Sequence, residues 1–261
     1  MNNLMKRFAV LLSMVSVLSL TACGAENPAK VWDEATAKNA SLTDVDMAVD
    51  MDMTMEIEGE SMDMTMGMDM KMNGINSEKM LYAADTKMNM NVGGYDMDVE
   101  GSTYYADGYC YTEMMGQKIK YEMDLDTMME SVEQNNAANG LSSSDMKELK
   151  MKKDGENRIL TFVCNPEAMN ESMSGMMEVM ESQMAMLGGM DMKTEMKEIK
   201  GECVINKDGY NTKTSMTMVF EMEIQGMICN VTANSVTELK NPGQPVEVTI
   251  PDTSGFEEMS F

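Results

Sequence analysis

From Met47 to Ile57 the chain alternates. Met47, Val49, Met51, Met53, Met55 and Ile57 share one parity, and Asp46, Ala48, Asp50, Asp52, Thr54 and Glu56 the other. Period-two alternation predicts a strand with one buried face. After Gly59 the pattern resumes as Met62, Met64, Met66, Met68, Met70 and Met72, with Asp63, Thr65, Gly67, Asp69 and Lys71 opposite. Asn73-Gly74 predicts a type I′ hairpin turn, and Gly67 inside the run predicts a bulge or bend. Turn signals at Gly93-Gly94, Asp107-Gly108, Asp154-Gly155 and Asp208-Gly209 help divide the rest into strand-like runs over 79–92, 95–105, 109–114, 117–123, 144–152, 156–164, 192–206, 210–224 and 227–237. Long neighbouring strands joined by tight turns make an antiparallel meander.

Three stretches follow the helical period instead. Near 30–40, from Pro28, Val31, Trp32, Ala35 and Ala37 form a short amphipathic pattern. The stretch 125–134 follows Asp124, an N-cap residue. The stretch 166–187 has Asn165 as its cap, Pro166 at its first position and Glu167 at its positive end. Met169, Met173, Met176, Met177, Met180, Met184 and Leu187 give it one apolar stripe, which Gly188-Gly189 ends. The segment 135–143, rich in Asn, Ala and Ser, reads as a linker. One-faced strands need a cover, so the helices are expected to lie on the sheet.

The N-terminus obeys different rules. Lys6 and Arg7 precede a run from Phe8 to Leu20 that only Ser13, Ser16 and Ser19 interrupt. That run is shorter than the ~20 residues a membrane span needs, and it has the form of a signal peptide. Leu20-Thr21-Ala22-Cys23 resembles the lipobox of bacterial lipoproteins. The resemblance implies cleavage after residue 22 and a diacylglyceryl group on Cys23, whose two acyl chains suffice for stable anchoring. The expected organisation is signal peptide 1–22, tether 23–29, one domain over 30–251 and a tail 252–261. The chain would be held at the extracytoplasmic face of the cell membrane.

The lipobox, the short helix, the long alternating strands, the hairpin Tyr104-Tyr105-Ala106-Asp107-Gly108-Tyr109, the mid-chain helix and a late strand from Pro245 to Pro251 together resemble uncharacterised Gram-positive lipoproteins. Those are similar to the LolA-like lipoprotein carriers and the mycobacterial lipid-binding lipoproteins. The resemblance implies an α+β fold: a curved antiparallel sheet, or half-barrel, covered on its concave face by helices. It also implies an apolar cavity for acyl chains or a lipoprotein anchor. Relatives carry Leu, Ile and Val where this chain carries Met.

Charge and chemistry narrow the function. The formal net charge is −24, and loss of Lys6 and Arg7 with the signal takes it to −26, which repels nucleic acid. There is no histidine, so Ser-His-Asp and Cys-His catalysis and the commonest metal ligand are missing. No constellation marks an enzyme, and no cofactor is expected. Cys110, Cys164, Cys203 and Cys229 form no C-x-x-C pair; they read as buried thiols or as one or two disulfides. Asp44, Asp46, Asp50 and Asp52 read as a solvated outer face.

The 39 methionines allow three readings: flexible core filler, an adaptable pocket, or thioether ligands for Cu(I) through Met-x-Met along a strand. The favoured reading is a non-catalytic lipoprotein with a hydrophobic ligand or lipid in a cavity lined by Met51, Met53, Met55, Met64, Met66, Met68, Met173, Met177, Met180 and Met184. An envelope structural or interaction protein with a filled core is the alternative, and Cu(I) binding the remote one.

Overall fold

The structure, a computed structural model, describes residues 26–75, 77–92, 95–134, 141–172, 192–224 and 226–259. The predicted signal peptide, Cys23, Gly93-Gly94, Met173, Met177, Met180 and Met184 lie outside them. Twelve strands form one curved, unclosed sheet. Helix α1 (Pro28–Ala40) precedes β1 (Val45–Ile57), β2 (Glu60–Asn73), β3 (Leu81–Val92), β4 (Tyr95–Ala106), β5 (Tyr109–Met114) and β6 (Gln117–Glu122). Helix α2 (Leu125–Gln134) and a single 3-10 turn (Ser143–Asp145) lead to β7 (Met146–Asp154) and β8 (Asn157–Cys164). Helix α3 (Pro166–Ser172) is followed by β9 (Met192–Ile205), β10 (Asn211–Ile224), β11 (Met227–Lys240) and the two-residue β12 (Glu257–Glu258).

The strand order is β12-β6-β5-β4-β3-β2-β1-β11-β10-β9-β8-β7. Two meanders, β1–β6 and β7–β11, are therefore joined at the middle by antiparallel pairing of β1 with β11, Met53 opposite Ala233. All pairings are antiparallel except that of β12 with β6. Several turns follow from their residues. Glu58-Gly59, Asp107-Gly108 and Met115-Gly116 each place two consecutive residues at positive φ, the I′ geometry that suits strand twist.

Three expectations change. Gly67 causes no bulge: it stays in register between Asp50 and Lys87. Asn73-Gly74 is not a two-residue turn, because Asn73 remains in the ladder opposite Leu81. Gly74 N–H instead donates to Asp44 Oδ1 at 3.0 Å and Ile75 N–H to the Thr43 carbonyl at 2.8 Å, so the connection folds back and buries Met80. The stretch from Pro245 to Pro251 is not a strand. Its prolines lack N–H groups, and Val246 N–H donates to Asp44 Oδ2. Asp44 thus ties two loops together rather than joining the solvated face. Past Pro251 the chain returns to the sheet: Phe256 is buried, with its ring edge-on to Tyr111 at 5.5 Å.

Both interior helix caps form as expected. Asp124 Oδ1 accepts from Thr127 N–H at 2.8 Å, and Asn165 Oδ1 from Glu167 N–H at 3.2 Å. Helix α3 is described only as far as Ser172, so the rest of the predicted helix 166–187 lies outside the described residues.

Candidate functional site

The register turns the alternating sequences into rows that run across the sheet. One row is Val99–Met88–Met66–Met51–Ser235–Met216–Gly201–Phe162. The next is Met97–Met90–Met64–Met53–Ala233–Met218–Ile199. Directly opposed side chains on one face have Cβ atoms ~4.5–5.5 Å apart, so each row is a line of neighbouring side chains, apolar except for Ser235 and the bare Gly201 of the first. The opposite face carries polar pairs. Thr54 donates to Asp63 at 2.8 Å, Asn89 to Asp98 at 2.7 Å and Ser102 to Asp85 at 2.6 Å.

Two buried clusters sit on the apolar face. In the first, Trp32 of α1 packs on Phe162 at 5.1 Å, edge to face, with Leu141, Leu160, Cys164, Ile199, Cys203 and Ile205 around them. The indole Nε1–H donates to the Leu141 carbonyl at 2.9 Å. In the second, Met128 of α2 packs with Met47, Met70, Met72, Met80, Ala84 and Tyr105. The chain thus passes from Met128 in one cluster to Leu141 in the other.

Of the predicted lining residues, Met51, Met53, Met55, Met64, Met66 and Met68 share this face and are half-buried. Met68 packs against the second cluster; among the described residues the other five belong to neither. They lie toward the end of the sheet where β1 turns into β2. At that end Tyr95, Met97, Met227 and Ile228 are exposed. Sequence reasoning missed this rim. Its signal was the apolar residue at the start of β4 and of β11, uninterpretable until the register set both strand starts at one end.

The opposite end holds the start of the described chain. Arg158 Nη2–H donates to Glu26 Oε1 at 2.8 Å, which holds the Glu26 carboxyl below the usual carboxylate range. Asn27 caps α1, so Glu26 to Ala29 of the predicted tether is already fixed to the domain. A recess of ≈ 430 Å3 lies beside this pair. Both signs of charge line it, among them Glu26, Lys30, Glu34, Arg158 and Lys207, which does not suit an acyl chain.

The four cysteines are free and buried. Burial pushes the Cys203 thiol up to about 12 and the Cys164 thiol to about 11. A thiol reagent at pH 8 is therefore expected to label none of the four before unfolding and all four after it; rapid labelling of the native chain would contradict their burial. The fold also holds the Cys164 and Cys203 protons longer than the unfolded chain, whose thiols titrate near 9.0. The resulting stability is complete below that value and is lost as pH rises toward 12. Alkaline titration of the urea midpoint checks this, and a midpoint that holds steady from pH 9 to 11 would contradict it.

A model of DUF6612, described as a family of unknown function, matches residues 27–254. No curated protein sequence matches the chain. Among solved structures it is similar to the lipoprotein LppX of Mycobacterium tuberculosis, at 11% identity over 84% of this chain and 97% of that one, with a TM-score of 0.42. It is similar to LprF from Mycobacterium bovis, at 13% identity over 89% and 100%, TM-score 0.39. It also matches a putative outer membrane lipoprotein-sorting protein domain from Vibrio parahaemolyticus, at 10% identity over 84% and 94%, TM-score 0.20. Mycobacterial lipoproteins and a lipoprotein-sorting domain, the groups named by the resemblance, are thus among its structural neighbours.

Proposed function

The chain belongs to the DUF6612 family, and we propose that it is a membrane-anchored, non-catalytic envelope lipoprotein that holds a hydrophobic ligand, an acyl chain or lipid, in a methionine-lined cavity over the apolar face of its sheet. The observation that carries this is the rim. Half-buried methionine rows run out, beyond both buried clusters, to exposed apolar residues at one end of the sheet. Exposed apolar patches of this kind mark ligand grooves or interaction sites. Methionine suits a groove that must fit varied chains, since its three rotatable bonds let it repack.

Anchoring through Cys23 complements this geometry. Glu26 is pinned at the end opposite the rim, and three residues reach roughly 10 Å, so the anchor would hold the domain close to the membrane with the rim pointing away. Helices α2 and α3 would cover the face. Native mass spectrometry of protein purified from membranes is expected to show a bound lipid, and the delipidated chain to take up an apolar dye. A ligand-free spectrum together with no dye uptake would overturn the carrier reading and leave an interaction protein with a filled core. Cys23→Ser is expected to yield unprocessed, unlipidated precursor; normal processing would overturn the anchor.

A further inference from the structure

A hydrophobic carrier accounts for an apolar face that can repack, but it does not call for methionines set directly opposite one another across several strands, where Leu, Ile and Val fit strands better. The register supplies what an apolar groove does not need. Met53, Met64 and Met90 are directly opposed on three neighbouring strands, with Met97 next in the row on β4. Along one strand, alternate methionines are ~6.6 Å apart. Across strands, opposed Cβ atoms are ~4.5–5.5 Å apart. Flexible thioether side chains starting from that spacing can bring three sulfurs onto one ion. The three are half-buried and belong to neither buried cluster, and Met97 at the end of the row is 51% exposed. Among the described residues no buried cluster holds these sulfurs, and Met97 opens the row to an ion.

Thioether sulfur is a soft, neutral ligand that selects Cu(I) over Zn, Ca or Mg. We propose that Met53, Met64 and Met90 form a three-sulfur site, spanning β1, β2 and β3, for a soft monovalent cation of the Cu(I) class. The parallel row Met51, Met66 and Met88 repeats the arrangement one step along the strands. The chain's net charge of −24 raises the local concentration of any cation. A thioether has no proton to lose, so affinity stays flat between pH 5 and pH 8, where sites built on thiolate, imidazole or carboxylate weaken with acid. This inference goes beyond the carrier reading and stands or falls separately.

The test uses the mature chain with Cu(I), supplied reduced and buffered with bicinchoninate, and with Ag(I) as a redox-silent probe. The expected dissociation constant is below about 1 µM and unchanged from pH 5 to 8. In spectra of chain carrying 13C-methyl methionine, Ag(I) is expected to move the Met53, Met64 and Met90 signals first. The variant M53L/M64L/M90L is expected to weaken binding about tenfold or more, while M115L/M227L, which removes exposed sulfurs elsewhere, leaves it intact. Dye uptake by the metal-free chain and Ag(I) binding by the dye-free chain are read separately on the unaltered protein, so the carrier reading and the metal site can fail independently. Binding weaker than micromolar, acid-sensitive binding, or shifts confined to exposed methionines such as Met115 would each overturn the site. The titration and the methyl spectra use the unaltered chain and decide the matter even if the leucine variant misfolds.

Discussion

Trp32→Ala is expected to destabilise the domain by about 3–5 kcal/mol, the range for truncating a buried aromatic. Trp32 joins three parts of the chain. Its ring packs on Phe162 of β8, its indole N–H satisfies the Leu141 carbonyl, and α1 has no other side chain of its size in the first cluster. Removing it leaves a cavity against Leu160 and Phe162 and an unpaired carbonyl at the point where the connection from α2 reaches the cluster. Against a typical total of about 5–15 kcal/mol, such a loss leaves many domains marginal. Trp32→Phe separates the two contributions: the ring contact survives in part, the hydrogen bond does not, and about 1–3 kcal/mol is expected. Urea unfolding followed by circular dichroism measures both. The native chain also has its only tryptophan here, so its fluorescence reports on this cluster alone. A cost under about 1 kcal/mol for Trp32→Ala would mean that α1 is not fastened through this ring.

Gly201→Val is expected to cost about 3 kcal/mol or more, at or beyond the upper end of core overpacking. A Cβ at Gly201 would strike the Ser215 carbonyl and lie 2.7 Å from Phe162 Cζ. Backbone cannot retreat from it, and Phe162 could do so only by leaving Trp32. Gly67→Ala is the control. A Cβ there lies 3.5 Å from Asp50 Oδ1, an ordinary contact, and a strand glycine replaced without strain gains about 0.4–1 kcal/mol. Chemical denaturation of the two variants should therefore move in opposite directions. Similar behaviour would show that the β8–β9 register is not as described.

The contrast between these glycines measures what could be read in advance. Gly67 stands out within a perfect alternation, yet its side of the sheet is open and nothing depends on it. Gly201 looks ordinary, and its importance arises from Phe162 on the next strand. Alternation states which way each residue faces but not what lies beside it. For that reason most strand ends follow the sequence closely, whereas the pairing of β1 with β11, the rows of methionine and the rim needed coordinates. Asn73-Gly74 misled for a related reason. Turn chemistry is local, and the pull of Asp44 and Thr43 on the following residues is not. Pro245 to Pro251 has β-branched residues, but its flanking prolines and the bond from Val246 to Asp44 take it out of the ladder. Among the site residues, the sequence identified six methionines of one face; which of them stand clear of the packed clusters depended on where Met128 and Trp32 land.

The central pairing of β1 with β11 has a consequence for how the chain is built. Strand β1 is made early and its partner is the last long strand to be made, so the bond that unites the two meanders has to wait for nearly the whole chain. Closing so long a loop is slow, as non-local sheet pairing generally is. Until then β1 is an open edge of alternating Met and Asp, long and apolar on one side, the kind of template that captures a second copy. Asp46, Asp50 and Asp52 project from that edge strand. An approaching copy would bring like charges opposite one another, whereas β11 brings Lys240 opposite Asp46 and neutral Val236 and Asn234 opposite the other two. The acidic face acts as a timer's safeguard: it keeps the waiting half-sheet solitary until its own missing strand arrives.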